Sequence, residues 1–228
     1  MIQKFFNVLP KFYLEDLQKH IFNPGITWIH YNETAGGYNG NYAWIDDDNT
    51  EETDLLSYKP PRNDNEKLFS YDVLVYSISE LLGQRLELER IKTNLMLPKP
   101  KMKPQGYNRP HIDYPECGMK TFLLYLNDCD GDTFIFDKTY TGEHPGKMTV
   151  IEQITPNANT AVMFDSYRYH ASSIPTLGKR AVINVVFWEP GFKQRYWEEQ
   201  QAKMQVPFSP LPESFEGSTH IKSFFQKK

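Results

Sequence analysis

Short runs of hydrophobic residues dominate the second half of the chain. Seven runs between residues 86 and 188 are rich in β-branched and aromatic residues, and turn sequences such as NDCDGD, TGEHPG and PTLG separate them. Strands at this spacing, with no helical pattern between them, predict an antiparallel sandwich or barrel. The expected strands are 86–97, 121–127, 133–136, 148–154, 160–164, 169–174 and 180–188.

The hydrophobic pattern before residue 86 is different. Residues 12–22 and 70–83 each place their apolar side chains at the 3.6-residue spacing of an amphipathic helix. A short strand is expected at 26–31. The polar sequence 32–66, with three glycines and two adjacent prolines, predicts a long loop. Helices therefore flank a β core.

Part of this polar sequence, residues 36–66, is a candidate lid. A structureless loop of that length is uncommon inside a domain and is often functional. Its aromatic residues Tyr38, Tyr42 and Trp44 fit a lid and a small satellite core equally well. The acidic cluster at 46–52 indicates solvated surface, because no cation-binding loop spacing is present.

Composition narrows the class of protein. With 228 residues, 39% of them hydrophobic, the chain can bury a sizeable core as one domain. We divide it into N-terminal helices and polar loop (1–85), a β core (86–190) and a C-terminal extension (191–228). The net charge of −4 disfavours nucleic acid and anionic membrane as partners. Only two cysteines are present and no apolar run approaches ~18 residues, which favours an intracellular, cytoplasmic protein.

His111 and Asp113 lie two residues apart, just before an expected strand. On an extended chain, side chains at i and i+2 face the same side, so an imidazole and a carboxylate converge. These are two of the three ligands of the facial triad that binds non-haem Fe(II). The third should be a histidine from a distant strand, and His170, 57 residues after Asp113, is placed to reach across a sandwich. Taken alone, His170 fits an ordinary strand histidine better.

The hairpin that follows His170 supplies a cation. Arg180 begins the returning strand 180–188, which is apolar on both faces and is therefore predicted to be buried on both sides. A buried guanidinium needs an anion, and a carboxylate bound through both oxygens is its natural partner. Because side chains alternate along a strand, only one of Lys179 and Arg180 can point inward. Arginine is expected to be that residue, because its planar guanidinium can bind both oxygens of a carboxylate. Tyr125 also points inward, either as core packing or as a donor to a ligand.

The three potential metal ligands and Arg180 together resemble the motif of the Fe(II)/2-oxoglutarate-dependent dioxygenases, most closely the prolyl 4-hydroxylase-like branch. The segments YLND and DGDTFIF (125–136) and ITPNANTAVMFDS (154–166) also resemble the family's turns and strands. Asn159 stands where a glycine is common in the family, and asparagine tolerates the left-handed conformation of such a turn. The likeness covers roughly residues 86–190.

The resemblance implies a mainly β protein with flanking helices, built on a double-stranded β-helix, or jelly roll. It implies that His111, Asp113 and His170 bind Fe(II) as the catalytic centre. Arg180 would bind the distal carboxylate of 2-oxoglutarate, with Tyr125 as a second donor. O2 is the other co-substrate, and ascorbate is a further cofactor to test. The implied reaction is hydroxylation of an unactivated C–H bond, coupled to oxidative decarboxylation of 2-oxoglutarate to succinate and CO2. Halogenating relatives lack the carboxylate of Asp113, so hydroxylation is expected.

Three functions stay open at this point: hydroxylation of a small molecule or protein side chain, prolyl included; dealkylation of nucleic acid by the same cofactor chemistry; and a non-catalytic jelly-roll binding module. The dealkylating branch places an asparagine two residues after its arginine, whereas Asn184 follows Arg180 by four. A binding module has no need of a three-ligand metal site. Tyr107 and Arg109 either line the mouth of the site or belong to a plain loop.

Overall fold

The computed structural model describes residues 1–31, 50–51, 53–58, 71–100 and 106–204. Most of the candidate lid, including Tyr38, Tyr42 and Trp44, lies outside these residues, as does most of the acidic cluster. The chain divides into two compact units, Met1–Lys193 and Gln194–Lys228. The expected single domain and its three segments stay predictions.

A seven-stranded sheet forms the larger layer of the first unit. Its ladders are antiparallel, so each strand pairs with neighbours that run in the opposite direction. In spatial order the strands are β1 (Gln3–Phe6), β10 (Thr160–Asp165), β7 (Met119–Tyr125), β12 (Arg180–Trp188), β5 (Glu87–Met96), β4 (Leu55–Tyr58) and β2 (Ile29–Tyr31).

A three-stranded antiparallel sheet forms the second layer. Its spatial order is β11 (Arg168–Ser172), β8 (Thr133–Thr139) and β9 (Val150–Ile154). A single bridge pairs His111 with His170 at the free edge of β11. A separate parallel pair joins β3 (Thr50–Glu51) to β6 (Tyr107–Asn108).

The chain crosses repeatedly between the two sheets. It passes from β5 to the bridge at residue 111, back to β7, across to β8 and β9, back to β10, across to β11 and back to β12. Residues of both sheets, including Val182 of β12 and Ile135 of β8, share one hydrophobic cluster. This crossing pattern is a double-stranded β-helix, and the predicted jelly roll is confirmed.

Strand β12 is the centre of the fold. All nine of its residues are buried, as its two apolar faces predicted. One face packs against helices α1 (Lys11–Ile21) and α2 (Tyr71–Leu82), which lie in one cluster with Ile183 and Val185. The other face lies against the smaller sheet. Because each fully buried aliphatic side chain contributes about 2 kcal/mol, this double packing stabilises the strand that carries Arg180.

Several elements correct the expectations. Residues 55–58 were expected within the loop but form β4, because Leu55 and Ser57 are buried where the strand pairs with β5. Strand β1 was not predicted, and neither was helix α3 (Phe192–Met204), which lies in the tail. Among the described residues, none of the helices has the length and hydropathy needed to cross a bilayer.

The turn before β10 has the predicted backbone conformation. Asn159 adopts the left-handed region with a φ of 63°. Its side-chain oxygen accepts a hydrogen bond from the Leu9 N–H at 2.8 Å, and its side-chain nitrogen donates to the Leu9 carbonyl at 2.8 Å. Asparagine therefore does more than tolerate the turn, because it also attaches the N-terminal segment to the jelly roll.

Candidate active site

His111 and His170 face each other across one antiparallel bridge. The His111 N–H donates to the His170 carbonyl at 2.9 Å, and the His170 N–H donates to the His111 carbonyl at 2.9 Å. Directly opposed residues on such a pair project to the same face. The two imidazole centres consequently lie 4.5 Å apart. The fold thus brings together two histidines that are 59 residues apart in the sequence.

Asp113 joins the histidines by a different route from the one expected. The extended strand expected around His111 is only a one-residue bridge, and Asp113 lies in a bend after it. Its backbone N–H donates to the Ser166 carbonyl at 3.0 Å, which positions the bend. The Oδ2 atom of Asp113 lies 3.7 Å from Nε2 of His170. One potential ligand atom from each of the three residues lies within 4.8 Å of the others.

Hydrogen bonds select the same tautomer for both histidines. Nδ1 of His111 lies 3.3 Å from the Arg109 carbonyl, and Nδ1 of His170 lies 3.1 Å from the Arg168 carbonyl. A carbonyl only accepts, so each Nδ1 carries the proton and each Nε2 keeps a lone pair. Burial lowers the pKa of His111 to about 3, with a further decrease from His170. Burial also lowers the pKa of His170, so both rings are neutral at neutral pH.

Three side chains surround the carboxylate of Asp113, which is 2% exposed. Nη2 of Arg90 donates to Oδ1 at 2.5 Å, and the Thr121 hydroxyl donates to Oδ2 at 2.7 Å. The Asn184 amide lies 3.1 Å from each oxygen. Burial raises the pKa of Asp113, but the guanidinium of Arg90 and then His170 lower it more strongly, and the net pKa is far below the ordinary value. The carboxyl group of Asp113 is therefore ionised.

Arg180, the first residue of β12, is a second buried polar group of the site. Its neighbour Lys179 is exposed, so arginine is the one of the two that points inward, as predicted. Nε of Arg180 donates to the Gly131 carbonyl at 2.8 Å, and Nη2 donates to the Thr133 hydroxyl at 2.8 Å. In the described part of the chain no carboxylate forms an ion pair with this guanidinium, and burial lowers the pKa of Arg180. Such a cation is a ready site for an anion.

Tyr125 stands beside this cation. It is fully buried, and burial raises the pKa of Tyr125 to about 12 against the opposing effect of Arg180. Its hydroxyl donates to the Thr133 hydroxyl at 2.9 Å. The oxygen of Thr133 thus accepts two hydrogen bonds, from Tyr125 and Arg180, which uses both of its lone pairs. The hydroxyl hydrogen of Thr133 is left to donate to a bound group.

Other residues of the site were missed or misjudged in the sequence. Arg90, Thr121 and Thr133 were not identified, since each is a polar strand residue whose hydrogen-bond partner lies on another element: Asp113 for Arg90 and Thr121, and Tyr125 and Arg180 for Thr133. Tyr107 was assigned to a mouth or a loop, but it is buried, with its ring centre 5.4 Å from that of Phe134. Its side chain therefore lies in the hydrophobic core, next to the smaller sheet.

Comparisons with known proteins address the fold. No protein-family model and no curated protein matches the chain. A prolyl hydroxylase from Trichoplax adhaerens, solved with a peptide fragment of the hypoxia inducible factor oxygen degradation domain, is similar over 86% of both chains, with 16% identity and a TM-score of 0.53. AviO1 from Streptomyces viridochromogenes Tue57 is similar over 83% of this chain and 90% of its own, with 13% identity and a TM-score of 0.50. The chain shares the jelly-roll fold of these proteins.

Proposed function

We propose that this protein is an Fe(II)- and 2-oxoglutarate-dependent oxygenase. One observation carries the proposal: two neutral imidazoles and one ionised carboxylate converge within 4.8 Å on the same jelly roll that buries a guanidinium with no ion pair among the described residues. A non-catalytic binding module has no need of the three-residue centre, which is costly to bury. The jelly-roll fold that the chain shares with the Trichoplax prolyl hydroxylase supports the same class.

The chemistry of the three donors fits iron. His111, His170 and Asp113 would hold Fe(II) through two nitrogen atoms and one oxygen atom, the donor set of non-haem iron oxygenases, which leaves positions open for other ligands. Bound iron would supply the redox chemistry that couples O2 reduction to decarboxylation of 2-oxoglutarate. The protein holds the imidazoles in one tautomer through the Arg109 and Arg168 carbonyls, as second-sphere groups commonly do.

Arg180 and Thr133 would bind the distal carboxylate of 2-oxoglutarate. The guanidinium supplies the charge, and the free hydrogen of the Thr133 hydroxyl supplies a second donor. Tyr125, which was expected to contact the carboxylate itself, would act through Thr133, because its hydroxyl donates to that oxygen. The distal carboxylate would then neutralise a buried cation that forms no ion pair within the described part of the chain.

The substrate class that we propose is a C–H bond of a protein side chain or small molecule, with hydroxylation as the outcome. The ionised carboxylate of Asp113 supports hydroxylation over halogenation, because it occupies the position that a halide would need. A prolyl side chain is the first substrate to test, because the structurally similar Trichoplax protein is a prolyl hydroxylase that was solved with a peptide.

Anaerobic titration with Fe(II) and 2-oxoglutarate tests the proposal. We expect wild type to show a visible charge-transfer band only when both are present, and to form succinate slowly when O2 is admitted. His170→Ala should lose the band, with an iron affinity at least ~100-fold lower, since a direct ligand matters more than a second-sphere group. His144→Ala, which alters an exposed turn, is the matched control. Absence of the band in wild type rules out the proposal.

Gly131 is expected to be required for cofactor binding. A Cβ atom there would lie 2.9 Å from Cδ of Arg180 and 3.1 Å from the Ser173 carbonyl. Gly131→Ala should therefore displace the guanidinium and lower the affinity for 2-oxoglutarate about tenfold, at a cost in stability of about 1–3 kcal/mol. Calorimetric titration of the metal-loaded protein and urea unfolding measure the two effects.

The matched control for Gly131→Ala is Gly142→Ala. Gly142 has a φ of 91° and nothing within 4 Å of its Cβ position, so the substitution strains the backbone without touching Arg180. It should reduce stability by about 1 kcal/mol and leave the affinity for 2-oxoglutarate unchanged. Equal affinities for 2-oxoglutarate in the two variants would contradict the steric role of Gly131.

A further inference from the structure

Arg90 approaches the carboxylate of Asp113 from the larger sheet. It lies on β5 opposite Val186 of β12 and places Nη2 at 2.5 Å from Oδ1. The same nitrogen lies 3.4 Å from the side-chain oxygen of Asn184, and the guanidinium carbon lies 5.0 Å from the centre of the Tyr114 ring. Asn184 and Tyr114 thus orient the guanidinium toward one oxygen of Asp113.

The two oxygens of Asp113 have different surroundings. The Asn184 amide lies 3.1 Å from each oxygen, and Oδ1 also accepts from the cationic Arg90. Oδ2 accepts from the neutral Thr121 hydroxyl and is the oxygen that lies 3.7 Å from Nε2 of His170. The charged donor is therefore on Oδ1, whereas Oδ2 has only neutral donors and is the oxygen that lies near His170.

We propose that Arg90 is a positioning residue that limits Asp113 to one metal-ligating oxygen. The inference rests on the proposed function. An octahedral ion has roughly six positions, of which two imidazoles and one oxygen use three. A keto acid that chelates through two oxygens then leaves about one position for O2. If Asp113 also bound through Oδ1, that last position would be filled.

The charge of Arg90 determines in which direction its removal should change the metal affinity. A cation beside the ligand repels a divalent metal, so its removal should strengthen metal binding or leave it unchanged. A residue that merely supported the fold would act in the opposite direction, because its loss would weaken the metal site. Metal affinity and the number of open metal positions therefore separate the two roles.

The experiment uses Mn²⁺ as the probe, because water-proton relaxation reports how many exchangeable waters a bound Mn²⁺ ion retains. With 2-oxoglutarate added, we expect wild type to keep about one water and Arg90→Met to keep none. The Mn²⁺ affinity of Arg90→Met should equal that of wild type or exceed it by up to ~10-fold. Arg85→Met, at an exposed position before β5, is the control and should match wild type.

Arg90→Gln keeps a donor for Oδ1 without the charge. It should share the Mn²⁺ affinity of Arg90→Met but retain the water count of wild type, and it keeps the test decisive if Arg90→Met fails to fold. A wild-type water count in Arg90→Met, or a weaker Mn²⁺ affinity in both variants, overturns the inference. Wild type that binds no Mn²⁺ overturns the proposed function as well, so the two failures are distinguishable.

Discussion

Replacing Asp113 with alanine is expected to abolish metal binding, with an affinity for Fe(II) or Mn²⁺ at least ~100-fold below that of wild type. The substitution removes the only anionic donor of the three, and the two neutral imidazoles that remain hold a divalent ion weakly. It also leaves donors from Arg90, Thr121 and Asn184 without their acceptor. Breaking a buried ion pair on one side costs about 3 kcal/mol or more, so the metal-free protein should also be less stable.

Metal titration by calorimetry and urea unfolding measure these two effects. Asp113→Asn provides a second variant, because it keeps the shape of the side chain and some of its hydrogen bonds while removing the charge. Asp137→Ala is the matched control, since this exposed carboxylate on β8 accepts a hydrogen bond from the Thr149 N–H and is not one of the three residues that converge. Metal affinity in Asp113→Ala equal to that of Asp137→Ala would show that Asp113 is not a ligand.

Arg180→Met is expected to weaken 2-oxoglutarate binding about 100-fold without destabilising the protein. The loss of affinity follows from removing charge-assisted hydrogen bonds worth about 3 kcal/mol in total. The stability should be unchanged or higher by about 1–2 kcal/mol, because Arg180 is only 5% exposed and forms no ion pair among the described residues, although Asp132 attracts it from a longer distance. A hydrophobic side chain of similar length removes that desolvation cost.

Calorimetric titration of 2-oxoglutarate into the Mn²⁺-loaded protein measures the affinity, and thermal unfolding without ligand measures the stability. The neighbouring Lys179→Met is the control, since Lys179 is exposed and its ammonium lies 5.7 Å from the Phe22 ring centre. It should leave the affinity for 2-oxoglutarate unchanged. An Arg180→Met variant that binds 2-oxoglutarate as wild type does would assign the cofactor carboxylate to another cation.

Local rules were sufficient to predict much of the β core. The strand expected at 180–188 coincides with β12, and its two apolar faces foretold burial on both sides. Alternation placed Arg180 inside and Lys179 outside, and the turn before β10 holds Asn159 in the left-handed conformation. Each of these features depends on residues close together in the sequence, which is why pattern and turn chemistry could identify them.

Features that depend on distant partners could not be predicted. Strand β1 has four residues with little burial, and it is a strand because β10 offers it an edge. Strand β4 lies within a polar sequence and is stabilised by pairing with β5. In the sequence, Arg90 looks like an ordinary, partly exposed residue of a strand. Only the fold shows that Asp113, 23 residues later, is its partner.

The single bridge between His111 and His170 has a consequence for the lifetime of the protein. Two backbone hydrogen bonds join segments that are 59 residues apart at the edge of the smaller sheet. Under the proposed function, bound iron would close this long loop much as a cross-link does. Without the metal, the loop would regain the conformational entropy that closure costs, and the closed state would be less stable. The Asp113 and Tyr114 N–H groups also donate to the Ser166 carbonyl, so this edge would loosen but stay paired when a chelator removes the metal, and a protease should cleave the metal-free protein faster than the loaded protein.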